Sequence, residues 1–119
     1  MRFAWLVVVL LLGFAGAIEA QAPKPVIDWK YIALNGANMG AAGLDLWSTH
    51  RLLATGKYKE GNPLMPKTVA GQAGVDAGIC GAVAVGSYYL KKHGSKWWAV
   101  LPVIGIGAHG VGATWNLTR

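Results

Sequence analysis

Five carboxylates and three histidines are spread through the 119 residues. Three of them, Asp45, Asp76 and His109, stand inside long apolar stretches. A charged side chain at the centre of a bilayer costs roughly 3 kcal/mol on insertion scales, so it is kept where it faces protein or trapped water. In such a place it has four uses: ligating a metal, moving a proton in catalysis, conducting an ion, or bonding one helix to another.

The first two uses find little support in the spacing. The candidate ligands are Asp45, His50, Glu60, Asp76 and His109, and no two share the i, i+4 spacing that puts ligands on one helical turn. A serine hydrolase would need Ser87 beside His109 and an oxyanion hole, and no glycine-rich elbow surrounds Ser87. Cys80, the single cysteine, excludes an intramolecular disulfide and a Cys-pair metal site, and reads as a small packing residue. GIGAHGVG, residues 105–112, has the glycines of a phosphate loop, but no strand precedes it and it lies in an apolar run. It reads as a surface for close helix packing. The pattern points to no enzyme, no metal and no cofactor.

The elements that would position these residues are helices. The chain is 54% hydrophobic and only 13% charged, about half the charge of an ordinary soluble domain. Residues 31–53, 69–90 and 97–116 are each long enough to cross a bilayer, which needs about 20 residues. Charges gather between these segments, where a soluble amphipathic helix would spread them along one face. Aromatic residues mark the ends. Threading the chain back and forth puts Trp29, Tyr31 and Tyr88–Trp98 at one interface, and Tyr58 and Trp115 at the other. Small residues four apart (Gly36/Gly40, Gly74/Gly78, Ala77/Gly81, Ala82/Gly86) suit close helix contact in lipid.

Each segment also carries one polar or small stripe at helical spacing. The stripes read Asn35, Asn38, Ala42, Asp45, Thr49; then Gln72, Asp76, Cys80, Val83, Ser87; then Pro102, Gly105, His109, Gly112, Asn116. They should face one another. If the last two segments form an antiparallel hairpin, Asp76 and His109 lie at similar depth and should bond to each other.

The N-terminus, MRFAWLVVVLLLGFAGAIEA, has the basic start, apolar run and small residues of a secretory signal peptide. Cleavage after Ala20 leaves Ile18 at −3, an imperfect fit that keeps an uncleaved anchor open. Residues 21–30 follow as an extracytoplasmic leader with two prolines. Residues 54–68, with Lys57, Lys59 and Lys67, are then cytoplasmic. The formal net charge of +6 lies at the ends of apolar segments, which suits anionic headgroups and not nucleic acid.

Between the first two segments, Gly56 reads as a helix stop, and Asn62 with Pro63 as an N-cap and first helical residue. Thr68 offers a second cap. Asp45, Thr49, Gly56 and Glu60-x-Asn62-Pro63-Leu64 resemble an uncharacterised family of small bacterial multi-pass membrane proteins, a domain of unknown function. There an Asp-x3-Thr helix leads through a glycine-containing loop to Glu-x-Asn-Pro and another span. The resemblance covers about twenty residues; here the loop is richer in lysine, and Pro66 is an extra interruption. It implies a membrane location and a shared hairpin, with no chemistry attached.

The expectation is an all-α transmembrane bundle, residues 31–119, in the bacterial inner membrane. It has three spans after a signal peptide, or four with an anchor. Its partners are membrane lipids and a second copy or another membrane protein, and its role is structural or accessory. The alternative is an ion- or proton-conducting element using Asp45, Asp76 and His109. The residues singled out are these three with Thr49, Glu60, Asn62 and Pro63.

Overall fold

The computed structural model describes residues 24–119, and the expected signal segment, residues 1–20, lies outside them. The described residues are all-helical: α1 (Trp29–Leu53), α2 (Val69–Lys92), a 3-10 turn (Lys96–Ala99) and α3 (Val100–Leu117). Both α2 and the stretch Lys96–Leu117 are long and apolar enough to cross a membrane. α1 has the length, 25 residues, with a more polar composition.

The helix limits follow from local chemistry. Asp28 caps α1 by accepting from the Tyr31 N–H at 2.9 Å, so the helix starts at Trp29, ahead of the expected residue 31. At its other end the chain turns at Gly56, whose φ of +72° favours glycine. The expected cap at Asn62 does not start α2. Asn62 Oδ1 accepts from the Leu64 N–H at 3.0 Å, and Met65 N–H donates to Asn62 O at 3.1 Å, which closes a single turn. Pro66 stops it there. It has no N–H to bond Asn62 O as a helix would require, and it disfavours helical geometry at Met65. Thr68 caps α2 instead, accepting from Gly71 N–H at 3.1 Å.

α2 ends in a Schellman motif. Ser95 N–H donates to Leu90 O at 2.9 Å and Gly94 N–H to Lys91 O at 3.0 Å, with Gly94 at φ +73°. Ser95 then caps the 3-10 turn by accepting from Trp97 N–H at 3.2 Å, and α3 continues from it. Pro102 falls in the first turn of α3, where its missing donor does little harm.

The broadest contact joins α1 to α3, which are neighbours in space and not in sequence. The two run parallel in one register. Tyr31 meets Trp98, with ring centroids 6.4 Å apart; Asn38 meets Gly105 and Asp45 meets Gly112; Thr49 meets Asn116. Every pair is 67 positions apart, and the first three follow each other at heptad intervals. Such a seam lets two helices interlock along their length. Glycine makes it possible here. A Cβ on Gly112 would fall 2.7 Å from Asp45 Oδ1, and one on Gly105 would overlap the Asn38 amide. By contrast Gly36, Gly40, Gly74, Gly78 and Gly81 have nothing within 4 Å of a built Cβ. Of the glycines in the pairs spaced four apart, only Gly86 is tight, with a built Cβ 3.2 Å from Leu101 Cδ1. The seam uses the seven-residue pair Gly105/Gly112, because it is the polar side chain opposite that needs the space.

Candidate functional site: a polar seam beside a groove

The polar stripes face inward. Asn38 and Ser48 are 1% exposed, Gln72 3% and Ser87 0%, while Met39 and Ile104 are 63% exposed and Val111 73%. Polar groups fill the inside and large apolar ones the outside.

At the loop end of the seam a network forms around Asp45. His109 Nδ1–H donates to Asp45 Oδ2 at 3.0 Å, which fixes the proton on Nδ1 in the neutral ring. Asn116 Nδ2 donates to Thr49 Oγ1 at 2.8 Å, with Ser48 Oγ at 3.2 Å and Asp45 Oδ1 at 3.4 Å. Ser48 Oγ–H itself donates back to Asp45 O at 3.0 Å. Asp45 thus has a donor on each oxygen, supplied from α3 across a gap that Gly112 keeps open.

His109 therefore pairs with Asp45 and not with Asp76. The antiparallel hairpin of α2 and α3 exists, but α3 lies closer to α1 at this depth. The glycine facing Asp45 admits its carboxylate to within reach of the imidazole. Asp76 lies across a groove of about 620 Å³ that the network also borders. Among the described residues it makes no ion pair; the two that occur are Lys91–Asp28 and His109–Asp45.

Glu60 and Asn62 form part of the groove's rim, on the loop between α1 and α2. There Glu60 Oε1 accepts from Asn62 N–H at 3.0 Å. Pro63 lies outside the groove, in the single turn that Pro66 terminates. The structure thus joins Asp45 to His109 directly and to Thr49 through Asn116, and sets Asp76, Glu60 and Asn62 on the same groove. Asn116 and Ser48 complete the network without having been singled out. Asn116 sits on the same stripe as His109 and Ser48 is one turn from Asp45, so helical spacing held the signal for both. No group of three or more His, Cys, Asp or Glu converges as a metal site among the described residues.

The opposite end of the bundle has its own polar centre. Lys91 Nζ donates to Val26 O at 2.8 Å, pairs with Asp28 at 2.5 Å and lies 4.6 Å from the Trp98 ring centroid. The Lys91 ammonium, with the Tyr31 N–H behind it, holds the Asp28 carboxyl below its usual range. Tyr31 O–H donates to Ala84 O at 2.7 Å, and Ser87 O–H donates to Trp98 O at 2.7 Å. The leader, α1, α2 and the 3-10 turn meet here. The centre escapes a sequence reading because Lys91 looks like one more basic residue at a segment end.

Comparison of the chain with protein-family models, curated proteins and solved structures finds no match. The functional reading rests on this geometry.

Proposed function

We propose that the chain is a small multi-pass protein of the bacterial inner membrane, with α1 as a third span, and that its role is structural or accessory and not enzymatic. The inversion of polarity carries the reading: the helices bury Asn35, Asn38, Ser48, Gln72 and Ser87 while exposing Met39, Trp47, Ile104 and Val111. In water that arrangement would discard the hydrophobic driving force. In lipid the force between helices is absent anyway, and close packing with interhelical hydrogen bonds holds them together. α1 fits the same rule, since its polar residues Asn35, Asn38 and Ser48 are buried. Sodium carbonate should leave the chain in the membrane pellet; release into the supernatant would sink this reading.

The side of the membrane is a second testable point. With the leader outside, Lys59 faces the cytoplasm. In a Cys80→Ser background, Lys59→Cys should resist an impermeant thiol reagent in intact cells and react after lysis. Labelling of intact cells would reverse the orientation.

The groove beside Asp45 and His109 favours ion or proton conduction as the second reading. Asp45, Ile79 and His109 are among its lining residues, and further along the helices Asn38 Nδ2 donates to Cys80 Sγ at 3.7 Å. Conduction would require Asp45→Asn to abolish flux in a bundle that still assembles. The structural reading expects that substitution to weaken assembly and leave flux unchanged.

A further inference from the structure

The groove has a volume, a wall chemistry and a carboxylate, Asp76, that no other described residue pairs with. Its volume, about 620 Å³, is within the range of sites for small organic ligands, about 300–1,000 Å³. Leu46, Leu53, Ile79 and Val111 give it apolar walls. Asp76 lies on one wall.

The other ionisable groups that line the groove are Asp45, Tyr58, Lys59, Glu60 and His109. Asp45 has His109 at 3.0 Å. Lys59 and Glu60, adjacent on the rim, cancel in formal charge. Asp76 has no hydrogen bond or ion pair among the described residues, and an unpaired carboxylate between helices in lipid is costly. A bare divalent metal is a poor occupant, because no three ligands converge. An anion would meet Asp76 unshielded. The walls suit an apolar body and Asp76 suits a positive charge. Tyr58 also lines the groove and is an aromatic group of the kind that attracts cations, whereas Trp115 already has Arg119 stacked 3.5 Å from its centroid.

We propose that this groove binds a lipophilic organic cation, with Asp76 as its counter-charge. The site rests on the membrane-bundle reading, which supplies the low-dielectric surroundings that make one carboxylate effective. It adds a ligand class to a protein otherwise read as structural.

Tetraphenylphosphonium is the probe, titrated against the purified full chain in detergent by equilibrium dialysis. Saturable binding at one site per chain is expected. Asp76→Asn should weaken it by more than tenfold, as the loss of one member of a desolvated charge pair does. Asp76→Glu should restore most of it. Ile79→Trp keeps the charge and fills the wall, and should also weaken binding, so the test survives if Asp76→Asn fails to fold. Absence of saturable binding to the wild-type chain would overturn the proposal, as would undiminished binding by Asp76→Asn or Ile79→Trp. Helical circular dichroism and membrane fractionation of the same preparations report on the bundle separately. A chain that is helical and membrane-bound but does not bind the probe loses the ligand site and keeps the bundle.

Discussion

The two ends of the bundle hold their helices in different ways. At the leader end Lys91, Tyr31, Ser87 and Trp98 tie together the leader, α1, α2 and the 3-10 turn that leads into α3, through contacts of 2.7–2.8 Å and an aromatic pair. At the loop end the network around Asp45 and Asn116 joins only α1 and α3. The start of α2 is held there by a local bond, from Gln72 Nε2 to Pro66 O at 2.8 Å. α2 is thus pinned at one end and free of polar ties to its neighbours at the other, and the groove lies where those ties are missing. In lipid, where apolar side chains gain little by leaving the solvent, the placing of a few polar bonds decides which helices close up and which stay apart.

The strongest way to break this picture is to fill the seam. Gly105→Ala places a methyl group against the Asn38 amide, and should cost about 1–3 kcal/mol through overpacking. Gly36→Ala, in open surroundings, should be neutral or slightly stabilising through helix propensity. Unfolding of both variants in mild detergent checks this. Equal stability would mean that α1 and α3 are not in the register described.

A smaller effect separates the two carboxylates near His109. In a double-mutant cycle, Asp45→Asn with His109→Gln should show coupling of about 0.5–1.5 kcal/mol. The cycle of Asp76→Asn with His109→Gln should be additive within about 0.5 kcal/mol. A reversed order would move α3 from α1 to α2.

The leader end gives the smallest signal, in its response to pH. Asp28 is held below its usual range by Lys91 and the Tyr31 N–H, so the tie is fully present above the ordinary carboxylate pKa of about 3.9. It is lost only as pH falls through the depressed value in the folded chain. The Tyr31 amide resonance should therefore stay flat as pH is lowered through that ordinary range, and shift at lower pH. Lys91→Met should move the inflection back up. An unchanged inflection in that variant would show that Lys91 does not hold the carboxylate.

Much of the interior could be read from spacing. The stripe Gln72, Asp76, Cys80, Val83, Ser87 contains the residues of α2 that are buried, Gln72, Cys80 and Ser87. The third stripe supplies Gly105, His109, Gly112 and Asn116 to the contact with α1. Three features misled. Gly36/Gly40 and Gly74/Gly78 matched a packing motif yet face outward, since the motif says only that a close approach is allowed. The hairpin of α2 and α3 suggested His109 for Asp76, since consecutive helices are commonly neighbours. Asn62-Pro63 does not start α2 for a local reason, Pro66, which lacks the N–H that a continuing helix needs.

The sequence by itself determined which face of each helix turns inward, because a helix repeats every 3.6 residues and the polar groups follow that repeat. It also set the helix ends, through Asp28, Thr68, Gly56 and Gly94, whose side chains or backbone freedom act within a few residues. Only the tertiary structure decided which stripe meets which. That choice depends on fitting Asn38 and Asp45 into the spaces left by Gly105 and Gly112, 67 positions away. The fit is a property of two surfaces in contact, and periodicity along either helix alone contains no measure of it.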